Sequence, residues 1–356
     1  MLSRSNSTDN DNDLLSGREK IRQEFRALLN KDLERYESKQ IHHSPMSMKG
    51  SKSETTVDFD LGEFTSHPDV NIKPGSSKEE FFSCIDLFAG CGGLSLGLEE
   101  AGFTPLLFSE ISPHAAETYI ANRAGMEIIP VADIHNLTDQ DLSLLKEHWR
   151  YKGVEDIDLV CGGPPCQGYS GIGHRRTFKL DKKDIPSNHL FQEMVRVIKN
   201  IRPKMFLFEN VRGLLNAKWT PDGKGGEIFK AVLAEFKTLK DYHIRWDLLH
   251  AKNYGVPQNR PRIVMVGIRD DILPHWIEGP FFDFSSDIPS AVEYGFLPKP
   301  SDTPPTLVDL LSDLEDPRYL NKVATTEYIN EPQTKIQREL RTTRSGEVLE
   351  IGRAHV

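Results

Sequence analysis

Short apolar runs alternate with helix-like patterns along the chain from Phe81 onward. Seven of these runs predict strands, namely FFSCIDLF, PLLFSEI, IIPVADI, DIDLVCG, MFLFENV, RWDLLHA and RIVMVGI. Between them, apolar residues at helical spacing predict helices near 94–101, 113–123, 139–149, 189–200 and 226–240. Alternation of this kind predicts an α/β fold, with a doubly wound, mostly parallel sheet and ligands at the carboxyl ends of its strands.

The composition of the sequence changes on both sides of this alternating region. Residues 1–78 are polar and predict a largely disordered arm, in which one amphipathic helix lies near 18–36. The alternating region predicts a single α/β domain over 79–272. Residues 273–350 are Pro-rich and irregular and predict the beginning of a second domain that is incomplete. The final residues, IGRAHV at 351–356, are interpreted as an artefactual tail.

Composition narrows the class of protein. With 44 Lys and Arg against 53 Asp and Glu in 356 residues, the net charge of −9 excludes nucleic-acid binding through overall basicity but leaves room for a local basic groove. No apolar run approaches the roughly 18 residues of a membrane span, and the N-terminus lacks a secretory signal. Four cysteines without zinc-site spacing predict no metal and a reducing compartment, cytoplasmic in a prokaryotic host or nuclear in a eukaryotic one.

A glycine-rich turn separates the first predicted strand from the next helix. It reads Asp86-Leu-Phe-Ala-Gly-Cys-Gly-Gly93, so a ligand can approach the backbone and the N-terminus of the helix that begins near Leu94. Glu110 ends the next strand, 20 residues after Gly90, where a carboxylate can bind ribose hydroxyls. Asp133 ends the third strand and can accept a hydrogen bond from an adenine amino group. We therefore favour an adenosine-containing cofactor over the alternative that Glu110 and Asp133 only cap helices.

A second segment, Gly162-Gly-Pro-Pro-Cys-Gln-Gly-Tyr-Ser170, follows the fourth predicted strand. Its two prolines stiffen the chain and hold the thiol of Cys166 where the strand ends. A thiolate is nucleophilic near neutral pH once its pKa is lowered, so Cys166 is the candidate nucleophile. The other three cysteines, Cys84, Cys91 and Cys161, are interpreted as core or turn residues.

Charged residues lie at two more strand ends. Glu209 lies in Phe208-Glu-Asn-Val-Arg-Gly213 at the end of an apolar strand and is a candidate acid. The segment Gln258-Asn-Arg-Pro-Arg262 brings two guanidinium groups, Arg260 and Arg262, to the same predicted edge.

A locally basic loop follows Cys166. Residues 169–186 contain five cations and two acids, and their glycines allow the loop to close over a polyanion. The alternative, an ordinary solvated loop, is disfavoured because the candidate nucleophile lies immediately upstream. The predicted contacts of this loop with nucleic acid are Gln167, Ser170, Arg175, Arg176 and Lys179.

Together these segments resemble the C5-cytosine DNA methyltransferase family, in the family's order, over roughly residues 81–270. The matching motifs are DLFAGCGG, the acidic strand end at Glu110, the ADI at 132–134, GGPPCQGYS, FENVRG and QNRPRIVMVGIR. The resemblance implies a Rossmann-like fold that binds S-adenosylmethionine over 79–272 and a DNA-recognition domain that begins at 273 and is incomplete. It also implies the cofactor-binding residues Asp86, Phe88, Ala89, Gly90, Cys91, Gly92, Gly93, Leu94, Glu110, Ile111, Asp133, Ile134 and Pro164.

The resemblance further implies a reaction. Cys166 attacks C6 of a cytosine flipped out of duplex DNA, Glu209 protonates N3, Arg262 holds O2, and Arg260 supports the loop that carries the thiol. Double-stranded DNA is the implied partner, and a restriction endonuclease is a further one if the chain belongs to a restriction–modification system. No membrane is implied.

Three alternatives remain. The first is an RNA (tRNA) cytosine-5 methyltransferase, whose branch typically has Thr after the aromatic residue that follows PPCQ, where this chain has Ser170. The second is a truncated, non-catalytic remnant, since no GNSV-like segment follows the last matched strand before Val356. The third is an NAD-type oxidoreductase, which explains the glycine turn and Glu110 but not the PPCQ segment.

Overall fold

The computed structural model describes residues 81–165, 186–220, 222–273, 288–300, 303–314, 326–328, 330–342, 346, 348 and 351–352. The predicted N-terminal arm lies outside these residues, as do Cys166 and all of the predicted basic loop except its last position, Pro186. The chain divides into two compact units between Asp158 and Leu159, and each is described by itself.

The first unit contains three parallel strands in the order β3-β2-β1. Their bounds are Phe82–Leu87 for β1, Phe103–Ser109 for β2 and Ile129–Val131 for β3. Three helices follow these strands in turn, α1 at Gly93–Glu100, α2 at Pro113–Ala121 and α3 at Asp139–Tyr151. Five of the six residues of β1 are buried, which accounts for the apolar run in the sequence because a strand covered on both faces has no exposed side to keep polar.

Polar side chains fix the ends of these elements. Thr138 begins α3 with a capping box: its hydroxyl accepts from the Asp141 N–H at 3.2 Å, and the Asp141 carboxylate accepts from the Thr138 N–H at 2.9 Å. At the other end of the unit, both the N–H and the hydroxyl of Ser83 donate to Asp158 Oδ2, at 2.7 and 2.9 Å. The start of β1 is therefore tied to the last residue of the unit.

The second unit contains four strands in the order β4-β5-β7-β6. Their bounds are Leu159–Gly162 for β4, Met205–Val211 for β5, Tyr242–His250 for β6 and Pro261–Arg269 for β7. The β4 and β5 strands are parallel, whereas β7 is antiparallel to both β5 and β6. Two helices belong to this unit, α4 at Leu190–Ile201 and α5 at Glu227–Phe236. Phe206 and Phe208 of β5 both pack against Phe236 of α5, with ring centroids 5.2 Å apart in each pair.

A small helical pair lies near the end of the described chain. It consists of α6 at Leu307–Leu311 and α7 at Lys335–Arg341, and two short strands, β8 at Thr326–Glu327 and β9 at Ile351–Gly352, pair antiparallel. Arg341 Nε donates to Asp313 Oδ2 at 2.9 Å, and both side chains are at most 5% exposed. A buried ion pair therefore joins α7 to the turn after α6.

The predicted fold class is confirmed. All seven predicted strands and all five predicted helices of the α/β region are present, and the parallel pairs are β1–β2, β2–β3 and β4–β5. The sequence did not indicate that β7 would lie between β5 and β6 and run antiparallel to both. Within the described part of the chain, we find no helix long and apolar enough to cross a membrane.

Alanine substitutions at two glycines should change the stability in opposite directions. Gly97 lies inside α1 with nothing within 4 Å of an added Cβ, so Gly97→Ala should raise the free energy of unfolding by about 0.5–1 kcal/mol. Gly267 of β7 lies opposite Phe206, and an added Cβ would lie 2.0 Å from Phe206 Cε1. Gly267→Ala should therefore lower the free energy of unfolding by about 1–3 kcal/mol. Urea unfolding of both variants measures the two changes in free energy of unfolding. Changes of the same sign would contradict this packing.

Candidate active site

The glycine turn after β1 has an open side. Gly90 and Gly92 have φ angles of +57° and +86°, in the left-handed region that glycine adopts without strain. In the described part of the chain, nothing lies within 4 Å of a Cβ added at Gly90 or Gly93. Phe88 also has a positive φ of 58°, which is uncommon for a residue with a side chain and marks the turn as a constrained segment. The turn thus presents backbone to a ligand on a face that none of the described side chains fills.

Glu110 is held beside this turn. The Gly90 N–H donates to its Oε2 at 2.8 Å, and the Ser112 N–H donates to its Oε1 at 2.7 Å. The carboxylate therefore bridges the turn after β1 and the start of α2. The structure brings Glu110 and Gly90 together, as their positions at neighbouring strand ends predicted.

Asp133 caps a short helical turn, which was the alternative to its predicted contact with adenine. Its Oδ1 accepts from the His135 N–H at 3.1 Å and so caps a short 3-10 turn at Ile134–Asn136. The same oxygen lies 2.8 Å from Nδ1 of His135. Ile134 is buried, whereas Ile111, next to Glu110, is 64% exposed. The predicted adenine contacts of Asp133 and Ile134 stay predictions.

The remaining residues of the turn differ in exposure. Asp86 is buried, and its carboxylate accepts from the Ser95 hydroxyl at 2.6 Å, so it lies within the fold rather than on the open side. The N–H groups of Phe88 and Ala89 donate to Ser109 at the end of β2, at 3.2 and 2.9 Å. Cys91 is exposed and Leu94 is half-buried. An open glycine turn, a fixed carboxylate and an exposed apolar side chain fit an adenosine-containing cofactor.

In the second unit, an acid and a guanidinium group meet across β5 and β7. Arg262 Nε lies 2.6 Å from Glu209 Oε1, and Arg262 Nη1 donates to the Pro261 carbonyl at 2.8 Å. The contact through Nε is one of charge, because this buried nitrogen has no hydrogen-bond partner of suitable geometry among the described residues. The pairing register of the two antiparallel strands places Val211 opposite Arg262. Because Glu209 lies two residues before Val211 in β5, the side chains of Glu209 and Arg262 come together at one end of the sheet.

The chain that leads to Cys166 passes directly beside this pair. The buried Asn210 donates from Nδ2 to the Pro164 carbonyl at 3.0 Å. A Cβ added at Gly163 would lie 2.9 Å from Glu209 Oε2, so the backbone there runs against the carboxylate. Glu209, Arg262 and the Gly163–Pro164 backbone therefore converge in the second unit, two residues before Cys166.

Other predicted site residues are placed differently. Arg260 lies in the exposed turn before β7, where its N–H donates to the Gln258 carbonyl at 3.0 Å. Cys166 and the five predicted loop residues lie outside the described residues, and their roles stay predictions. These five are Gln167, Ser170, Arg175, Arg176 and Lys179.

The other cysteines agree with their interpretation as core and turn residues. Cys84 and Cys161 are fully buried, and Cys91 is exposed in the glycine turn. Burial, reinforced by the nearby Asp86 carboxylate, raises the pKa of Cys84 to about 12, so this thiol stays protonated at neutral pH. Cys84 therefore lacks the features of an activated nucleophile.

Residues 82–350 match the family model described as C-5 cytosine-specific DNA methylase. The chain belongs to this DNA methylase family. Among curated proteins, this family member is similar to Type II methyltransferase M1.HphI of Haemophilus parahaemolyticus, with 41% identity over 52% of this chain and 45% of that protein. It is also similar to M.DdeI of Desulfomicrobium norvegicum, with 39% identity over 52% of this chain and 40% of that protein.

A third relative, Type II methyltransferase M.Sau96I of Staphylococcus aureus, is 33% identical over 61% of this chain and 44% of that protein. The matched segment of this chain thus spans less than half of each of the three relatives.

Two residues of this site had no role predicted from their sequence motifs. Gly163 and Asn210 lie inside the motifs GGPPCQGYS and FENVRG, and the structure places them against Glu209 and Pro164 respectively. The doubled glycine before two prolines and the amide after the acid were available signals. Each of them lies 46 residues from its partner in sequence, and the contacts form only when β4 and β5 pair.

Proposed function

We propose that the chain is a DNA (cytosine-5-)-methyltransferase that transfers a methyl group from S-adenosylmethionine to C5 of cytosine in double-stranded DNA. The observation that carries the proposal is the Glu209–Arg262 pair against the Gly163–Pro164 backbone, which leads within two residues to Cys166. It lies within the segment that matches the DNA methylase family, residues 82–350. An acid, a cation and a thiol that lies two residues along the chain from the backbone beside the pair are the groups that activation of a cytosine ring needs.

The first unit is proposed to hold the methyl donor. The open side of the glycine turn at Gly90 and Gly93 would take the donor, Glu110 would take its ribose hydroxyls, and Ile111 would contact its adenine. S-adenosylmethionine supplies an electrophilic methyl group on a sulfonium. The buried Asp86 supports the turn from within.

The second unit is proposed to activate the base. C5 of cytosine is a poor nucleophile, so the ring must first become electron-rich. The Cys166 thiolate forms a bond to C6, Glu209 gives a proton to N3, and Arg262 holds O2, so that electron density moves to C5. C5 then bonds the methyl group, which leaves its donor as S-adenosylhomocysteine. A base removes the C5 proton, the electrons of that bond re-form the C5–C6 double bond and expel the Cys166 thiolate, and N3 returns its proton to Glu209.

DNA binding is proposed to involve the loop after Cys166. The reacting atoms lie inside the duplex stack, so the cytosine must be flipped out, and the cations of residues 169–186 would contact phosphates. The three relatives above are named Type II methyltransferases. We therefore extend the proposal to the modification part of a restriction–modification system with a restriction endonuclease as partner.

Covalent trapping tests this proposal. Duplex DNA in which 5-fluorocytosine replaces cytosine should form an adduct with the purified chain in the presence of S-adenosylmethionine, because the fluorine cannot leave as a proton does. The adduct, read as a shifted band on a denaturing gel, should be absent with Cys166→Ser and with unsubstituted DNA. An adduct that persists in Cys166→Ser would overturn the assignment of the nucleophile.

Transfer of tritium from the methyl-labelled donor distinguishes the alternatives. Matched reactions with genomic duplex DNA and with tRNA should label the DNA. Labelling of tRNA alone would replace the proposal with an RNA methyltransferase. A folded chain that binds the donor and labels neither substrate would identify a non-catalytic remnant.

A further inference from the structure

The buried face of the glycine turn is covered by three side chains, which we call the Arg123 brace: Glu99 of α1, Tyr119 of α2, and Arg123, which lies two residues after α2. The Arg123 side chain is 3% exposed, and each of its three nitrogens has a separate partner. Its Nε donates to Glu99 Oε1 at 2.5 Å, its Nη1 to the Tyr119 carbonyl at 3.1 Å, and its Nη2 to the Gly92 carbonyl at 3.0 Å. The guanidinium therefore joins both helices to the turn.

Tyr119 anchors the brace in the core of the first unit. Its ring stacks on Phe108 of β2 with centroids 4.0 Å apart, and the Arg123 guanidinium carbon lies 3.9 Å from its centroid. Its hydroxyl lies 2.8 Å from Ser95 Oγ, and the Ser95 hydroxyl donates to Asp86. Burial raises the pKa of Tyr119 and keeps this hydroxyl neutral. Hydrogen bonds from Tyr119 through Ser95 to Asp86 therefore link the brace to β1, the strand that precedes the turn.

Gly92 lies between the brace and the open side of the glycine turn. A Cβ added there would lie 2.6 Å from both Arg123 Nη1 and Tyr119 Cδ2, whereas Gly90 and Gly93 have open space. One face of the turn is thus filled by the brace, and the other face is free to meet a ligand. The left-handed Gly92, at a φ of +86°, directs its carbonyl to Arg123.

We propose that Arg123 is a positioning residue for the methyl donor: by holding the Gly92 carbonyl it keeps the glycine turn in the conformation that binds the adenosine part. This inference rests on the proposed function for the identity of the ligand. A turn with left-handed residues has other accessible conformations, and a ligand that binds only one of them loses affinity in proportion to the population of the others. Glu99 keeps the buried guanidinium paired and so maintains the brace.

Arg123→Lys tests the inference. Lysine keeps the charge, but its single nitrogen cannot replace the planar guanidinium that bonds Glu99, Tyr119 and Gly92 together. We expect the Kd for S-adenosylhomocysteine, measured by calorimetry, and the KM for S-adenosylmethionine to rise about tenfold, the effect of one lost charge-assisted hydrogen bond. We expect kcat at saturating donor to change less than twofold. Glu99→Gln, a milder change, should shift Kd in the same direction by less.

A surface pair in the same unit provides the control. Lys152 Nζ lies 2.5 Å from Glu127 Oε1, and both side chains are more than 40% exposed, so Lys152→Ala should leave Kd and kcat unchanged. An unchanged Kd in Arg123→Lys and Glu99→Gln, or an equal fall in kcat, would overturn the inference. A wild-type chain that binds S-adenosylhomocysteine would then leave the proposed function standing. A folded wild-type chain that binds none would overturn both.

Discussion

Glu209→Gln should lower kcat for methyl transfer about 10²- to 10⁴-fold, the range attributed to one general acid or base. Glutamine has nearly the shape of glutamate and keeps an oxygen near Arg262, but it has no proton to give to N3 of the base. The loss should therefore appear in kcat, while the Kd for duplex DNA, measured by gel shift, stays within about threefold of wild type. Radiolabel transfer at saturating donor measures kcat.

The ion pair with Arg262 complicates a single substitution. Arg262 Nε lies 2.6 Å from Glu209 Oε1 in a partly buried setting, so loss of the carboxylate also removes the partner of a cation. The double variant Glu209→Gln/Arg262→Gln separates the two effects, since it removes the unpaired charge. If Glu209 served only to pair Arg262, the double variant would be no slower than Arg262→Gln alone, because the cation that needed a partner is gone. If Glu209 is the proton donor, the double variant should be slower than Arg262→Gln alone.

A second ion pair of similar exposure serves as the control. Glu193 and Arg196 of α4 lie 2.8 Å apart with side chains 23% and 26% exposed, against 32% and 21% for Glu209 and Arg262. Glu193→Gln should leave kcat within about twofold, because surface pairs of this kind contribute about 0–1 kcal/mol. A loss of activity in Glu193→Gln equal to that in Glu209→Gln would indicate a general effect on folding rather than chemistry.

The contact of Glu110 with the glycine turn was predictable from sequence. Two neighbouring parallel strands end at the same edge, so residues just after β1 and β2 meet there, and Gly90 does donate to Glu110 at 2.8 Å. The rule needs only the strand pattern and the chain direction. The same reasoning placed Glu209 and Arg262 at one edge of the second unit, and the antiparallel insertion of β7 brings them within 2.6 Å.

The Arg123 brace was not predictable in this way. Arg123 lies just beyond the end of α2 and belongs to no motif, and Glu99 is 24 residues earlier on another helix. Their contact depends on how α1 and α2 pack together, which no local pattern encodes. Gly92 illustrates the consequence: the sequence suggested that its glycine admits a ligand, whereas the structure shows that a side chain there would strike Arg123 and Tyr119.

Gly163→Ala should reduce kcat about 10²-fold with little loss of stability, because misplacement of a catalytic group by about 1 Å has an effect of that size. The added Cβ would lie 2.9 Å from Glu209 Oε2, the mobile end of a side chain, and 3.6 Å from the Glu209 carbonyl, an ordinary contact. The carboxylate can therefore turn away without movement of the backbone, and the free energy of unfolding should fall by no more than about 0.5 kcal/mol.

Gly225→Ala is the matched control, since among the described residues its Cβ would meet only the Asn216 carbonyl, at 4.0 Å, and kcat should stay unchanged. Gly163→Ala and Glu209→Gln disturb the same carboxylate, so their effects should not add: Gly163→Ala combined with Glu209→Gln should be no slower than Glu209→Gln alone. Additive losses would mean that Gly163 acts on something other than Glu209. Full activity in Gly163→Ala would mean that the position of this carboxylate is not critical, and Glu209 would then not be the proton donor.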